Sequence, residues 1–303
     1  MSPPVVLVIG RTGQLARSLT TAQAPGLTVQ TCGRPQLDLT RPDSLEAAVD
    51  AYHPALVVNA AAYTAVDAAE TEPEAAYALN RDGAAHLARA CAQRDIPLIQ
   101  LSTDYVFDGQ SAEPYRETDP PRPLGVYGAS KLDGERAVTN AWAKSVVLRT
   151  AWVYSPFGKN FLKTMLNLAR TRDRLNVVAD QRGTPSYGPD LAAAILTIAG
   201  RLLERPSPAC FGVFHLTASG ETHWAGFARE IFAQSAARGG PSAEVHPIPS
   251  ASYPTPAQRP ANSRLNCDKV DTVFGVRRRP WRAGVADCLA ALHAAKADDA
   301  GGS

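Results

Sequence analysis

The chain has 303 residues and a formal net charge of +2, and 45% of its residues are hydrophobic, which suits one medium two-lobed enzyme or two small domains. Without a dense block of Lys and Arg, the sequence gives no reason to expect a nucleic acid or a membrane surface as a partner. No apolar stretch approaches the roughly 18 residues of a membrane-spanning helix, and the first residues show no secretory pattern, so we expect a cytoplasmic protein.

The chain opens on a dinucleotide-binding pattern. Residues 5–9 form a continuous apolar run, which is typical of a buried parallel strand. Small residues follow at Gly10, Gly13 and Ala16, and a helical pattern continues through Leu19. They allow a tight turn, a close approach of the backbone to a diphosphate, and helix N–H groups that face the phosphates. Ordinary strand–helix turns also favour glycine, but the position between a strand and a helix indicates a nucleotide site.

The region after the second predicted strand, residues 27–32, indicates which nucleotide binds. NAD sites place an acid about 20 residues beyond the glycines, yet no Asp or Glu occurs between Ala16 and Leu37. Arg34 stands there instead and could bind a 2′-phosphate, although an ordinary surface arginine is the plainer interpretation. We predict NADPH as the cofactor, with NADH as the alternative.

Strands and helices alternate through the first half of the chain. Apolar runs at 55–59, 97–101 and 145–149 continue the strands, and a helical pattern fills 75–94. This order predicts an α/β fold, with a doubly wound parallel (Rossmann) sheet that binds its ligand at the carboxyl ends of the strands. From about residue 155, proline-rich loops between helices predict a smaller mixed α/β substrate lobe.

Domain boundaries follow from this change in pattern. The NADP-binding Rossmann domain is predicted to comprise residues 1–155 and about 190–216. The substrate-binding lobe is predicted to comprise residues 156–189 and 217–295. The low-complexity residues 296–303 are predicted to be a frayed tail.

Tyr127 and Lys131 form the clearest candidate for chemistry. Residues four apart on a helix share a face, so the Tyr127 hydroxyl and the Lys131 ammonium can reach the same bound group. A nearby cation favours phenolate, which predicts a lowered pKa for Tyr127 and makes it a usable proton donor. Thr103 ends an apolar run and could present a hydroxyl beside the pair. The alternative is an exposed tyrosine and a solvated lysine on one helix face.

Several longer segments carry a family resemblance. They are residues 59–67, 102–109, 127–131, 148–155, 180–185 and 259–265. Together they resemble the extended short-chain dehydrogenase/reductases, and within that superfamily the reductases that complete the synthesis of dTDP-L-rhamnose. The similarity runs from about residue 5 to Leu289. It implies NADPH-dependent reduction of the C4 keto group of a dTDP-linked 6-deoxy sugar.

The resemblance also implies roles for individual residues. Tyr127 would protonate the C4 oxygen, Thr103 would orient it, and Lys131 would hold the nicotinamide ribose. With Arg34 included, the predicted cofactor-binding set is Gly10, Gly13, Gln14, Leu15, Arg34, Asp38, Leu39, Ala62, Tyr63, Thr64, Tyr127 and Lys131. The substrate-binding set is Thr103, Asp104, Trp152 stacked on the sugar, and Asn160 and Arg259 at the diphosphate. Plainer roles are a helix-capping neighbourhood for Asp38 and core packing for Trp152.

Other functions stay open at this point. Sugar 4,6-dehydratases of the superfamily carry Asp-Glu after the threonine, where this chain has Asp104 and Tyr105, so reduction is favoured over dehydration. The sequence does not separate a reductase from a nucleotide-sugar epimerase. An intact Tyr127 and Lys131 pair also fits an NADP-binding regulatory subunit like the β subunit of methionine adenosyltransferase, which resembles the same family.

The positions of cysteine, histidine and acidic residues predict whether the protein binds a metal and how it assembles. Its five cysteines and six histidines show no metal-ligand spacing, which predicts reduced thiols and no metal. Some family members dimerise through magnesium held by carboxylates, one of them in the first helix, but residues 16–21 contain no acid. We therefore expect a monomer or a weak homodimer. Two further departures from the family pattern are Ala16 for a glycine and Ser186 for a threonine.

Overall fold

Six parallel strands form the central sheet of the computed structural model, which describes residues 2–301 and the side chains of residues 2–295. In chain order they are β1 (Val5–Ile9), β2 (Thr28–Cys32), β3 (Leu56–Asn59), β4 (Leu98–Thr103), β5 (Ser145–Thr150) and β10 (Gly212–His215). Their spatial order is β10-β5-β4-β3-β1-β2, so the connections change direction between β1 and β3. Such sheets bind ligands at the carboxyl ends of the strands beside this reversal, which is where β1 runs into Gly10.

Alternate residues of β1 face two different cores, which is why its sequence is apolar throughout. Val6 and Val8 lie in one core and Leu7 and Ile9 in another, and none is more than 1% exposed. The helices of this part of the chain are α1 (Gln14–Thr21), α2 (Pro42–Tyr52), α3 (Val66–Ala69), α4 (Pro73–Tyr77), α5 (Ala84–Gln93), α6 (Val126–Ala141) and α8 (Gly188–Glu204). Because α1 and α8 cover one face and α2 and α5 the other, the predicted doubly wound α/β fold is confirmed.

The helix predicted over 75–94 is interrupted. It consists of α4, a π-helical turn at Ala78–Gly83, and α5. In that turn the buried amide of Asn80 binds both the backbone of Tyr63 and the hydroxyl of Ser130. Turns of this kind occur often at functional sites. The helical pattern could not reveal the turn, because its polar partners come from distant parts of the chain.

Short strands and further helices make up the second part of the chain. The strands pair as β6 (Val153–Tyr154) with β9 (Ser186–Tyr187), β7 (Arg174–Val178) with β12 (Glu244–Ile248), and β8 (Arg182–Gly183) with β11 (Thr222–His223). The helices are α7 (Phe161–Leu168), α9 (Trp224–Ala236), α10 (Asp268–Phe274) and α11 (Trp281–Gly301). Three 3₁₀ turns lie at Asp104–Val106, Pro208–Cys210 and Ser250–Ser252.

The distribution of cores supports the proposed lobe boundaries, with one difference in packing. Strand β10 pairs with β5 and α8 packs on the same core as β1, in keeping with the return of residues 190–216 to the Rossmann domain. Helices α7, α9 and α11 surround a core of their own. Helix α10 packs instead on the first core through Val270 and Phe274, although the proposed boundaries assign 217–295 to the substrate lobe.

The C-terminal helix α11 continues through most of the segment proposed to be frayed. The backbone is helical as far as Gly301, because alanine and lysine in this segment favour helix. Residues 302 and 303 lie outside the described residues. Within residues 2–301, none of the helices combines the length and the apolar character that crossing a membrane requires.

Candidate active site

The turn between β1 and α1 has the geometry of a dinucleotide-binding loop. Gly10 adopts φ +121°, which side chains disfavour, and its N–H donates to Cys32 O at 2.8 Å. Gly13 precedes α1, and within the described part of the chain a Cβ built there would meet nothing within 4 Å. The Ala16 methyl lies 3.5 Å from the position of a Gly10 Cβ, so alanine fits where glycine is usual. The first N–H groups of a helix lack intrahelical partners, so this open turn before α1 fits a diphosphate.

Gln14 and Leu15, which follow the glycines, have different surroundings. The Gln14 Oε1 accepts hydrogen bonds from Ser155 Oγ and Asn160 Nδ2, both at 3.0 Å, and its Nε2 donates to Val153 O at 3.3 Å. Leu15 packs against the first core. Asn160, predicted at the substrate diphosphate, therefore lies beside the glycine turn, where it also caps α7.

Two arginines lie at the carboxyl end of β2. Arg34 pairs with Asp38 at 2.9 Å, and its side chain is 69% exposed. Arg11, which the sequence reasoning missed, lies against Gly33 and donates to Gln36 Oε1 at 3.1 Å. Its signal in the sequence was its place directly after the first glycine of the turn. A guanidinium at this position has the charge and the donors that a 2′-phosphate requires.

Asp38 and Leu39 lie in the turn after β2. The backbone N–H of Thr40 holds the pKa of Asp38 below its usual range, and the Thr40 hydroxyl and Arg34 act in the same direction. Leu39 is 3% exposed and packs in the core that contains Ile9. The side chains of both residues are therefore committed to contacts within the protein.

The loop after β3 contains Ala62, Tyr63 and Thr64, and Asn80 holds it in place. The Tyr63 N–H donates to Asn80 Oδ1 at 2.8 Å, and Asn80 Nδ2 donates to Tyr63 O at 3.1 Å. The Tyr63 hydroxyl donates to Glu72 at 2.8 Å. Sequence reasoning missed Asn80, because a single asparagine in a helical pattern gives no signal of its contacts.

Thr103, Tyr127 and Lys131 come together where β4 ends against α6. The Thr103 hydroxyl lies beside the Tyr127 phenol and donates to Asp104 Oδ1 at 3.0 Å. Lys131 Nζ donates to the carbonyl oxygen of Leu101 at 2.6 Å. The three predicted catalytic side chains therefore converge on the carboxyl edge of the sheet, where the fold places a ligand.

Two glycines allow α6 to approach so closely. A Cβ on Gly128 would overlap the carbonyl oxygen of Tyr105, and a Cβ on Gly134 would overlap that of Asn80. Backbone therefore meets backbone on two sides of the helix that carries the catalytic pair. These two contacts fix the position of α6 relative to the end of β4.

The protonation of the catalytic pair differs from the prediction. Burial raises the pKa of Tyr127 above its ordinary value, and the Thr103 hydroxyl offsets only part of the increase. Burial also lowers the pKa of Lys131 to about 8, against the opposing charge of Glu135. The predicted lowering of the Tyr127 pKa by Lys131 is therefore wrong, because desolvation dominates and the ammonium is directed to Leu101. A phenol that keeps its proton at neutral pH still suits a proton donor.

Asp104 is buried next to this group. It is 2% exposed, and burial raises its pKa to about 7 although hydrogen bonds from Ser263 and Thr103 favour its charged form. The raised pKa lets the carboxyl exist in protonated and charged forms near neutral pH. In one form it donates a hydrogen bond and in the other it only accepts.

Trp152 belongs to an aromatic wall. It adopts φ +49° and stacks on Trp224, with ring centroids 3.5 Å apart and 7° between the planes. Its Nε1 donates to Ser263 Oγ at 3.1 Å, and its ring lies against Gly183, where any Cβ would clash. Trp224, which the sequence reasoning missed, thus covers part of the ring that was predicted to stack on a sugar.

Arg259 reaches the catalytic pair from the far end of the chain. Its guanidinium donates to the Tyr105 hydroxyl at 3.2 Å and to Asp67 Oδ2 at 2.8 Å, and its side chain is 23% exposed. The Tyr105 ring packs edge-on against Tyr127 with centroids 5.6 Å apart. The structure therefore brings Arg259 near Tyr127, whereas Asn160 lies by the glycine turn.

Acidic and metal-binding side chains are dispersed over the described residues. Across that part of the chain, no group of three or more His, Cys, Asp or Glu residues is placed to hold a metal ion. All five cysteines are buried and free. The absence of a catalytic metal stays a prediction.

The fold and the site together define the class of protein. A Rossmann sheet with a glycine turn, and a Tyr-x-x-x-Lys helix that meets a threonine at the end of β4, are the features of an extended short-chain dehydrogenase/reductase. Residues 4–294 match the family described as the RmlD substrate binding domain. The chain belongs to the family of dTDP-4-dehydrorhamnose reductases, as its relatives show.

Two relatives illustrate the extent of the sequence similarity. The dTDP-4-dehydrorhamnose reductase of Sinorhizobium fredii is 48% identical over 274 residues, which cover 90% of this chain and 93% of the relative. The enzyme of the same name from Escherichia coli is 40% identical over 291 residues, which cover 92% of this chain and 95% of the relative. Both alignments therefore span the Rossmann domain and the proposed substrate lobe.

Solved structures agree with this assignment. The dTDP-4-dehydrorhamnose reductase of Clostridium acetobutylicum superposes with a TM-score of 0.88 at 34% identity, covering 95% of this chain and 99% of that one. The Bacillus anthracis enzyme, solved in complex with NADP, gives a TM-score of 0.86 at 32% identity with the same coverage. A UDP-glucose 4-epimerase from Thermus thermophilus, with a TM-score of 0.74 at 22% identity, shares the fold.

Proposed function

We propose that this protein uses NADPH to reduce the C4 keto group of dTDP-4-dehydrorhamnose, which yields dTDP-L-rhamnose. The observation that carries the proposal is the convergence of Thr103, Tyr127 and Lys131 at the end of β4, beside the strand ends that flank the glycine turn. Carbonyl reduction requires a proton donor, a group that orients the oxygen and a cation near the donor, and these three side chains supply them.

NADPH, when bound, supplies the hydride that reduces the carbonyl carbon. The turn at Gly10 and Gly13 would hold its diphosphate, and Arg11 with Arg34 would hold the 2′-phosphate. Lys131 would bind the nicotinamide ribose. The fit rests on the free helix N–H groups and on the two guanidinium groups at the end of β2.

The side chains around the carbonyl have distinct tasks. Thr103 would turn its hydroxyl from Asp104 to donate to the carbonyl oxygen and orient it, and Tyr127 transfers its proton to the same oxygen as negative charge develops there. Because burial raises the pKa of Tyr127, the proton stays on the phenol until that charge appears. The Lys131 ammonium would stabilise the phenolate by turning from Leu101 O toward Tyr127. Asp104, next to Thr103, would bind a sugar hydroxyl as donor or acceptor.

Substrate recognition follows from the remaining charges and aromatic rings. The aromatic wall of Trp152 and Trp224 offers apolar surface to the sugar ring. Arg259 is the cation proposed for the substrate diphosphate, since its guanidinium is partly exposed next to Tyr105. Asn160 is proposed to support the same group from the side of the glycine turn.

The setting of the enzyme completes the proposal. We also propose a monomer or weak homodimer in the cytoplasm, with neither a nucleic-acid partner nor a metal. The small net charge supports the absence of a nucleic-acid partner, and the free buried thiols support a reducing compartment. The division into a Rossmann domain and a substrate lobe at the boundaries given above is part of the same proposal.

The direct test is turnover of the keto sugar. dTDP-4-dehydro-L-rhamnose would be made in situ from dTDP-glucose, with a control that omits this protein. Protein-dependent NADPH oxidation with dTDP-L-rhamnose as product supports the proposal. Tight NADPH binding without oxidation would indicate a regulatory subunit, and conversion to an isomer without net oxidation would indicate an epimerase.

A further inference from the structure

A row of buried polar side chains crosses the sheet directly behind the catalytic residues. Ser102, Arg149 and His215 are neighbours in register on β4, β5 and β10, and none is more than 6% exposed. Buried polar groups cost free energy unless each finds a partner. Ser102 and Arg149 share the partner Glu135, which follows Lys131 by one turn of α6 and is 3% exposed, and His215 joins the row through Arg149.

Glu135 uses both carboxylate oxygens to bind Arg149 and Ser102. Arg149 Nε lies 2.9 Å from Oε1 and 3.2 Å from Oε2, and its Nη2 lies 2.6 Å from Oε2. The Ser102 hydroxyl also donates to Oε1. Arg149 Nη1 lies 3.5 Å from His215 Nε2. Burial, with the charge of Arg149, lowers the pKa of His215 to about 3, so the neutral ring can accept this hydrogen.

Two successive turns of α6, one with Lys131 and the next with Glu135, are bound to consecutive residues of β4. Lys131 binds the carbonyl of Leu101, Glu135 binds the next residue, Ser102, and the proposed catalytic Thr103 follows. A displacement of Glu135 would therefore shift the helix that carries Tyr127 relative to Thr103.

Glu135 is also the charge that acts on Lys131. Titratable groups near this part of the helix are Tyr127 and Glu135 on α6 itself, Asp104 and Tyr105 on the turn after β4, and Arg149 on β5, both of which pack against α6. His215 on β10 is linked to them through Arg149. Only the Glu135 carboxylate, among the described residues, opposes the effect of burial on the ammonium. On the π-helical turn that packs against α6, Arg81 and Asp82 pair with each other at the surface.

We propose that Glu135 is a positioning residue of the reductase, which fixes α6 against the end of β4 and sets a carboxylate one helical turn from Lys131, with Arg149 and Ser102 holding it in place. The inference rests on the catalytic set proposed above. A buried ion pair alone is weak evidence for stability, since apolar residues of similar volume often serve as well. A role in placing Lys131 gives a reason for the buried charges, which are positive on Lys131, negative on Glu135 and positive on Arg149.

Three variants test the inference. Glu135→Gln keeps the shape of the side chain and removes its charge, and the double variant Glu135→Leu with Arg149→Met replaces the whole pair by apolar groups. Asp133→Asn is the matched control, since Asp133 pairs with Arg136 on the exposed side of the same helix. The pH profile of kcat/KM, NADPH affinity and thermal unfolding would be measured for each.

We expect the alkaline limb of kcat/KM to move to lower pH by about one unit in Glu135→Gln. The shift should be smaller in the double variant, which also removes the positive charge of Arg149. The sign follows because an ammonium without its counter-charge loses its proton at lower pH. The displaced helix should also lower kcat at neutral pH about tenfold. The Asp133→Asn profile should coincide with that of the wild type.

A folded Glu135→Gln protein whose pH profile matches the wild type would assign the pair to folding alone and overturn the inference. Failure of both Glu135 variants to fold would have the same meaning. Inactivity of the wild-type protein on the keto sugar, measured in the same experiment, would instead overturn the proposed function and this inference with it.

Discussion

At the scale of single residues, the proposed proton donor Tyr127 is a phenol that does not ionise early. Burial raises its pKa, so the phenol dominates at neutral pH and releases its proton only to a developing oxyanion. The four-residue spacing from Lys131 identifies the pair in the sequence. The direction of the pKa shift depends on burial and on the contact between Lys131 and Leu101, which only the fold determines.

Cofactor choice can be tested at the same scale. Arg11→Ala removes a guanidinium whose partner is the neutral Gln36, whereas Arg34 is already paired with Asp38. We expect Arg11→Ala to raise the Kd of NADPH about tenfold or more, through loss of a charge-assisted contact, and to change that of NADH little. Arg34→Ala should act in the same direction but less strongly. Fluorescence titrations would measure both, and equal losses for the two cofactors would contradict the 2′-phosphate assignment.

At the scale of elements, the docking of α6 on β4 decides the site. Gly128 and Gly134 remove the side chains that would hold the helix away, and Lys131 and Glu135 tie two of its turns to β4. The precise placement of Tyr127 beside Thr103 is thus a property of the interface between helix and strand.

Two alanine substitutions test this interface. Gly128→Ala should destabilise the protein by about 1–3 kcal/mol and lower turnover, because the new methyl meets the Tyr105 carbonyl. Gly200→Ala, in α8, is the matched control: a Cβ there meets nothing within 4 Å in the described structure, so we expect a gain of about 0.4–1 kcal/mol. Urea unfolding would measure both, and a Gly128→Ala protein as stable as the wild type would refute the close approach.

The elements also show what the sequence can and cannot predict. The central strands follow from their apolar runs, because a parallel strand covered on both faces needs them, and β1 has the predicted bounds of 5–9. The two-residue strands of the second part are too short to have a period. Trp224, Asn80 and Arg11 were missed because their relevance depends on contacts with residues far along the chain.

At the scale of the whole molecule, the two parts of the chain are joined on both sides of the proposed cleft. Gln14 binds Ser155 and Asn160 on one side. On the other side, Arg259 binds Asp67 of α3. The proposed cofactor turn and the proposed diphosphate ligands are therefore held by the same contacts that hold the molecule together.

Metal independence is a prediction for the molecule as a whole. Treatment with EDTA, followed by removal of the chelator, should leave kcat and Tm unchanged, because the proposed chemistry uses side chains and NADPH alone. A sample carried through the same buffer exchange without EDTA is the control. Activity that is lost and then restored by magnesium would show that the enzyme needs a metal.

The most direct test of the central claim is the turnover of Tyr127→Phe with dTDP-4-dehydro-L-rhamnose. Tyr77→Phe is the matched control, since the Tyr77 ring on α4 lies against Arg81 and belongs to neither proposed binding set. We expect Tyr127→Phe to lower kcat by about 10²–10⁴-fold while NADPH binds nearly as in the wild type, because only the general acid is lost. A variant that reduces the sugar at a near-normal rate would remove Tyr127 from the mechanism and contradict the account.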